Sequence, residues 1–423
     1  MTTQDVNATI DTVWRMESPK IIAGLTRIVG DIAVAEDLAQ DALVAALEQW
    51  PEKGIPDNPA AWLTGTAKHR AVDHLRRRGR IEKKHETLGR ELDERGAAAV
   101  DELHTAIDDQ VGDDVLRLIF MTCHPSLAAE ARAALTLRLV GGLTTEEIGR
   151  AFLTPEPTIA QRIVRAKKTL VASKVPFEVP RSRELPERLA SVLEVIYLIF
   201  NEGYSATSGK NWLRHDLCDE ALRLGRILAE LIPEQAEVHG LVALMEIQAS
   251  RSRTRVDAEG RPILLLDQDR SRWDQMLIRR GLTAIERAEA AGDQGPYTAQ
   301  ARIAACHARA RTAAETDWNR IVELYGELAK IQPSPIVELN RAVAVSMASG
   351  PAAALTIVDR LRRMPELKEY HLLPSVRGDL LAKLGRHAEA KKEFERAAKL
   401  TRNEREKELL MERASQAVAE CAE

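Results

Sequence analysis

Between residues 144 and 170 the chain reads TTEEIGRAFLTPEPTIAQRIVRAKKTL, and its side chains are of the kinds that meet nucleic acid. Thr144 followed by Glu147 is a capping box, which opens a short helix ending near Phe152. Thr154 is placed to cap a second helix, with Pro155 at its first position. In that second helix Ile159, Ile163, Ala166 and Leu170 recur at spacings of four, three and four, so they share one face. Thr158, Gln161, Arg162, Arg165 and Lys168 fall on the other. Arg and Gln can read base edges in the major groove, and Lys mostly meets phosphates. Two short helices across a tight turn, the second basic outside, make the pattern of a helix-turn-helix with its recognition helix. A helical hairpin with a solvated basic face fits the same spacing.

A second basic segment is NPAAWLTGTAKHRAVDHLRRRGR at 58–80. Asn58 caps it, Pro59 takes the first helical position, and the helix runs to about Arg78 with Gly79 as its stop. Leu63, Ala67, Ala71 and Leu75 form its inner stripe, while Lys68, Arg70, His74, Arg76, Arg77 and Arg78 crowd the outside and the C-terminal end. Cations suit a helix C-terminus in any protein, so this segment alone argues little. Ahead of it, 34–50 is an unbroken amphipathic helix with Asp37, Gln40, Asp41, Val44 and Glu48 along one side.

These segments belong to a chain of 423 residues, too long for one core. Aromatic residues make up 4% and hydrophobic residues 45%, a composition that favours helix. No apolar run approaches the roughly 20 residues needed to cross a bilayer. The polar N-terminus has no secretory pattern, and Cys123, Cys218, Cys306 and Cys421 lie far apart. Both features fit a reducing cytoplasm and argue against a structural metal site. Net charge is −4, but the charges are segregated. Residues 68–84 carry eight bases and two acids, 158–174 carry five bases and no acid, and 91–114 carries nine acids and one base. Two basic patches joined by an acidic tether is the arrangement to explain.

The order AEDLAQDALVAALEQW, NPAAWLTGTAKHRAVDHLRRR, acidic linker, LTTEEIGRAFLTPEPTIAQRIVRAKKTL resembles the extracytoplasmic-function sigma factors of bacteria over about residues 10–175. The resemblance implies an all-α chain. Region 2 would occupy 1–85, binding core RNA polymerase and the −10 element. An acidic linker would follow at 86–112, then region 4 at 113–175, whose helix-turn-helix reads the −35 element. It implies that Asp37, Leu38, Gln40 and Asp41 face the polymerase clamp and that Arg70, Asp73, Arg76 and Arg77 lie on −10 DNA. Thr158, Gln161, Arg162, Arg165 and Lys168 would read the −35 element. The acidic 91–114 would thread channels that otherwise hold nucleic acid; a solvated tether accounts for the same composition. Trp62 is the one aromatic inside the −10 helix, and it suits core better than base stacking.

The prolines of VPFEVPRSRELPE mark the start of the C-terminal part, 176–423, which is helical in pieces of 12–18 residues. A shift of 36 residues lays Ala344, Ala348, Ala352, Ala354 and Val358 over Leu380, Leu384, Ala388, Ala390 and Phe394. Small residues at such a period suggest stacked tetratricopeptide-like hairpins, and an alanine-rich bundle is the alternative. PERLASVLEVIYLIFNEGY with hairpins after it resembles the sigma-factor branch that carries such an extension as an in-chain regulator. Asn201, Glu202 and Tyr204, with Arg214 and Asp216 nearby, form a candidate ligand or contact site; a polar helix end with Gly203 as its stop reads from the same residues.

The partners so implied are core RNA polymerase, promoter DNA and a protein or peptide on the C-terminal repeats, with no cofactor, metal or membrane. The other reading is a DNA-binding repressor or activator with a peptide-sensing repeat domain, and such a regulator has no need of the 34–50 and 58–78 helices. No glycine-rich phosphate loop, metal-ligand spacing or nucleophile motif suggests an enzyme.

Overall fold

The computed structural model describes residues 3–85, 111–152, 154–181, 183–204, 213–258, 261–292, 295–401 and 403–419. The regular structure of these residues is helical, and the one β-type pairing among them is an isolated bridge between Val256 and Pro262. The chain divides into two compact units, Met1–Ile196 and Tyr197–Glu423.

In the first unit α1 (Thr3–Val29), α2 (Ile32–Lys53) and α3 (Pro59–His85) pack on one another. Helix α2 starts where it does because the Asp31 carboxylate accepts from the amides of Ala33 (2.8 Å) and Val34 (3.3 Å). Asn58 Oδ1 does the same for Ala61 at the head of α3, at 3.0 Å. Helix α3 does not stop at Gly79 but continues to His85. One glycine inside a helix costs about 1 kcal/mol, and the good helix formers around it outweigh that. Ile10, Leu25, Ile32, Trp50 and Leu63 are sealed in the core, with Ala67 and Ala71 behind them. Leu75, the fourth residue of the expected inner stripe, is instead 36% exposed, because the stripe outlasts the helices it packs against.

Helices α4 (Val111–Thr122), α5 (Ala129–Leu139), α6 (Thr145–Ala151) and α7 (Glu156–Ala172) follow, and then α8 (Leu185–Tyr204). The acidic segment lies mostly at 86–110, outside the described residues. Its last member, Asp114, is no tether residue: it is buried in α4, bonded to Arg27 at 2.9 Å and Arg117 at 2.7 Å. The division between the units falls inside α8. On the first unit's side Arg188 donates to the Phe120 carbonyl (2.9 Å) and Ser191 to that of Cys123 (2.6 Å). Leu189, Val192, Val195 and Ile196 are buried there. Burying one such side chain contributes about 1.5–3 kcal/mol. A fragment ending at 178 should therefore melt at least about 5 °C below one ending at 196, read by circular dichroism.

The second unit is built from helices that pack largely on their neighbours in sequence: α9 (His215–Leu231), α10 (Ala236–Ala249), α11 (Gln275–Ala291), α12 (Pro296–Arg309), α13 (Trp318–Ile331), α14 (Pro335–Ser349), α15 (Pro351–Leu361), α16 (Leu372–Lys383), α17 (His387–Leu400) and α18 (Glu404–Ala419). Close crossings need the missing side chain of glycine. A Cβ on Gly240 would sit 2.6 Å from the Thr298 amide nitrogen, and one on Gly378 would sit 2.8 Å from the Phe394 ring. Of the residues aligned by the 36-residue shift, Ala344, Ala354, Val358, Leu380, Ala390 and Phe394 are buried. The remaining positions of that alignment keep partial or full exposure.

Candidate nucleic-acid interface

The reciprocal capping box forms as its spacing requires. The Thr144 amide donates to Glu147 Oε2 at 2.8 Å, and the Glu147 amide to Thr144 Oγ1 at 3.1 Å. Burial acts to raise the Glu147 pKa, but the Thr144 amide and the Arg15 guanidinium outweigh it and hold the carboxyl below its ordinary value. Thr154 does not cap α7: its hydroxyl donates to the Phe152 carbonyl (3.1 Å), and α7 opens at Pro155 with no side-chain cap. The turn is too tight for that cap, and a Cβ on Gly149 would lie 2.8 Å from the Thr154 carbonyl oxygen.

Ile159, Ile163, Ala166 and Leu170 of α7 are all buried. That leaves Thr158, Gln161, Arg165 and Lys168 exposed and Arg162 half-buried. Between α7 and the start of α5 lies a groove of about 330 Å³, lined by Thr158, Gln161, Arg162 and Arg165 together with Ser126 and Glu130. The arrangement is a helix-turn-helix whose second helix presents donors outward.

On α2 and α3 the expected residues divide. Asp37 and Asp41 are exposed, and Asp41 pairs with Arg70 of α3 at 3.2 Å. Gln40 turns back to Glu36 at 2.7 Å. Leu38 does not face outward: it is 8% exposed, since an apolar side chain at that register belongs to the core beneath α2. The exposed side of α2 is completed by Val44 (50%) and Leu47 (42%), apolar residues beside acids. Val44 was legible from the helical spacing, whereas Leu47 was not. Asp73, Arg76 and Arg77 are exposed on α3. Trp62 is half-buried, edge-on to buried Trp50 with ring centroids 5.5 Å apart.

Residues 13–81 match the family description "Sigma-70 region 2" and residues 117–170 match "Sigma-70, region 4". The chain is similar to the RNA polymerase sigma-H factor of Pseudomonas aeruginosa, 27% identical over 36% of this chain and 78% of that protein. It is also similar to a probable extracytoplasmic-function sigma factor of Mycobacterium tuberculosis, 25% identical over 39% of this chain and 56% of that one. An uncharacterized protein of Rhizobium meliloti is 44% identical over 93% of this chain and 92% of its own length. This chain carries regions 2 and 4 of the sigma-70 family. Residues 188–289 of the chain match a "Family of unknown function (DUF6596)", so its extension is a recurring part.

Among the described residues four ion pairs join regions 2 and 4 inside the first unit. Glu36 of α2, 3% exposed, accepts from Arg138 Nε of α5 at 2.8 Å and also from Lys167 of α7. Arg27 reaches Asp114, and Arg15 reaches Glu147. Sequence reading passed over Glu36 because both partners are remote along the chain.

In the extension, Glu202 is buried and bonded to Arg214 at 2.8 Å, while Asn201 is exposed and Asp216 is exposed at the start of α9. Gly203 is no helix stop, since α8 runs to Tyr204. Its Cβ would lie 2.7 Å from the Cys218 amide nitrogen, so the residue admits α9 to close approach. Tyr204 stacks on Phe200 at 5.5 Å and carries the Arg255 guanidinium 3.5 Å from its ring centroid. Among the described residues no helix is long and apolar enough to cross a membrane.

Proposed function

We propose that the chain is an alternative sigma factor that binds core RNA polymerase through the exposed side of α2 and directs it to promoters. The observation that carries this is the outward face of α7, with Thr158, Gln161, Arg165 and Lys168 exposed, in a chain that also holds region 2. Asp37, Asp41, Val44 and Leu47 suit a partner surface that is basic and apolar. Asp73, Arg76 and Arg77 would meet −10 DNA, and Arg70 would do so on leaving Asp41. Unstacking a promoter base costs on the order of a few kcal/mol, which cationic contacts to the separated strand must offset.

The division of labour we propose is region 2 at 1–85, linker at 86–112, region 4 at 113–175 and an in-chain regulatory part at 176–423. The helical hairpins of the last part support a tetratricopeptide-like surface for a protein or peptide partner. The test is transcription from a genomic library by the purified chain with bacterial core polymerase. Discrete starts sharing −35 and −10 elements are expected; DNA binding without core-dependent starts, in the full chain and in residues 1–196 alike, favours the repressor or activator reading. Arg165→Ala should weaken −35 binding by roughly 1–3 kcal/mol and relax preference at one or two base pairs. An unchanged −35 preference in that variant removes Arg165 from base reading.

A further inference from the structure

One cluster in the extension is left without a role by the reading above. Arg251, at the end of α10, is 7% exposed and lies between two aromatic rings, 5.9 Å from the Tyr204 centroid and 5.7 Å from that of Trp273. Its side chain has no hydrogen-bond acceptor or carboxylate partner among the described residues, and its Nε is sealed and unbonded. Two more guanidinium groups stand beside it. Arg255 lies over the Tyr204 ring and donates to the Tyr204 carbonyl. Arg270, also 7% exposed, is 5.2 Å from the Trp273 ring. It donates only to neutral oxygens, those of His307, Ala310 and Thr316, at 3.0–3.2 Å.

Ionised groups buried to this degree are paired as a rule, since neither water nor a counter-charge otherwise repays their lost hydration. Arg251 keeps too little surface for a hydration shell. The aromatic faces supply part of the attraction and leave the donors in the guanidinium plane unused. The nearby His307 Nδ1 is likewise buried and unbonded. Arg251, with unused donors, no carboxylate bonded to it among the described residues and further cations beside it, is complementary to an oxyanion.

We propose that Arg251, with Arg255 and Arg270 beside it and Tyr204 and Trp273 as walls, binds the carboxylate or phosphate group of a small molecule. The site belongs to the part matching the family of unknown function, and does not depend on the sigma reading. The planar fork of Arg251 would take the oxyanion, and Arg270, already anchored through three bonds, would hold the Trp273 wall of the site in place. A ligand there gives the extension a chemical input.

The test is thermal unfolding of the full chain in chloride buffer, and then with inorganic phosphate or acetate added at matched ionic strength, for wild type and Arg251→Met. In chloride the variant is expected to be at least as stable as wild type, because an uncompensated charge has been removed. Either anion should raise the wild-type midpoint by roughly 2–4 °C more than that of the variant. Response to phosphate alone or acetate alone names the group recognised. A variant that melts lower in chloride makes Arg251 a packing residue and overturns the proposal. So does an equal response of the two chains, or no response of wild type to either anion.

Discussion

Replacing Glu36 with alanine is expected to cost about 3 kcal/mol of stability in the first unit, the low end of what breaking a buried ion pair costs. The carboxylate is the shared acceptor of Arg138, Lys167 and Gln40, and its loss leaves two cations facing one another across the junction of regions 2 and 4. The cost stays at the low end because Arg138 and Lys167 keep 22% and 14% of their side-chain surface in contact with water. Glu36→Gln should fall between the two, since an amide oxygen still accepts but carries no charge. Joint replacement of Glu36 by Leu with Arg138 and Lys167 by Met should recover much of the loss, because apolar groups of similar volume need no partner. Denaturant unfolding of the three variants checks this. A loss below about 0.5 kcal/mol for Glu36→Ala would give the junction the energy of a surface contact.

A second large effect is expected at His307 as pH falls. Burial, with the charges of Arg251 and Arg270 added, pushes its pKa from 6.5 down to about 3. The folded chain therefore keeps this ring neutral below pH 6.5, where the unfolded chain takes up a proton. Stability from this residue is fully present above pH 6.5 and declines as the pH is lowered towards 3. Between pH 7 and pH 5 the second unit should lose about 2 kcal/mol that a His307→Gln variant retains. Parallel pH profiles for the two chains would show that the ring is not the titrating group. Occupation of the neighbouring guanidinium site by an anion would shrink this loss, since a nearby negative charge eases protonation of the folded ring and brings its pKa back towards the unfolded value.

What could be read ahead of the structure was whatever is decided within one or two helical turns. The Thr144–Glu147 box and the Asn58 cap are bonds between residues three apart, so composition and spacing contain them. The buried stripe of α7 follows from period alone. Faces and ends set by distant packing went astray. Leu38 and Leu75 changed sides because what covers each position is another helix, and Gly203 proved to be an approach point for α9. The Glu36 clasp joins residues 102 and 131 positions apart. The guanidinium cluster draws Tyr204, Arg251, Arg270 and Trp273 from α8, the end of α10 and the loop before α11, and no motif spacing announces it.

The junction of regions 2 and 4 has a consequence in lengths. The two promoter elements are by their names about 25 base pairs apart, roughly 85 Å along B-form DNA. A compact body of the first unit's size has a radius of gyration of about 16 Å, so on the proposed reading regions 2 and 4 could not touch both elements while clasped. A chain of the length of 86–110, fully extended at 3.3–3.6 Å per residue, spans at most roughly 90 Å. Its length matches the span with little slack. Shortening it by ten residues would remove about 35 Å of reach. On the sigma reading such a chain would be held to promoters with closer elements, like a caliper whose arm has been cut.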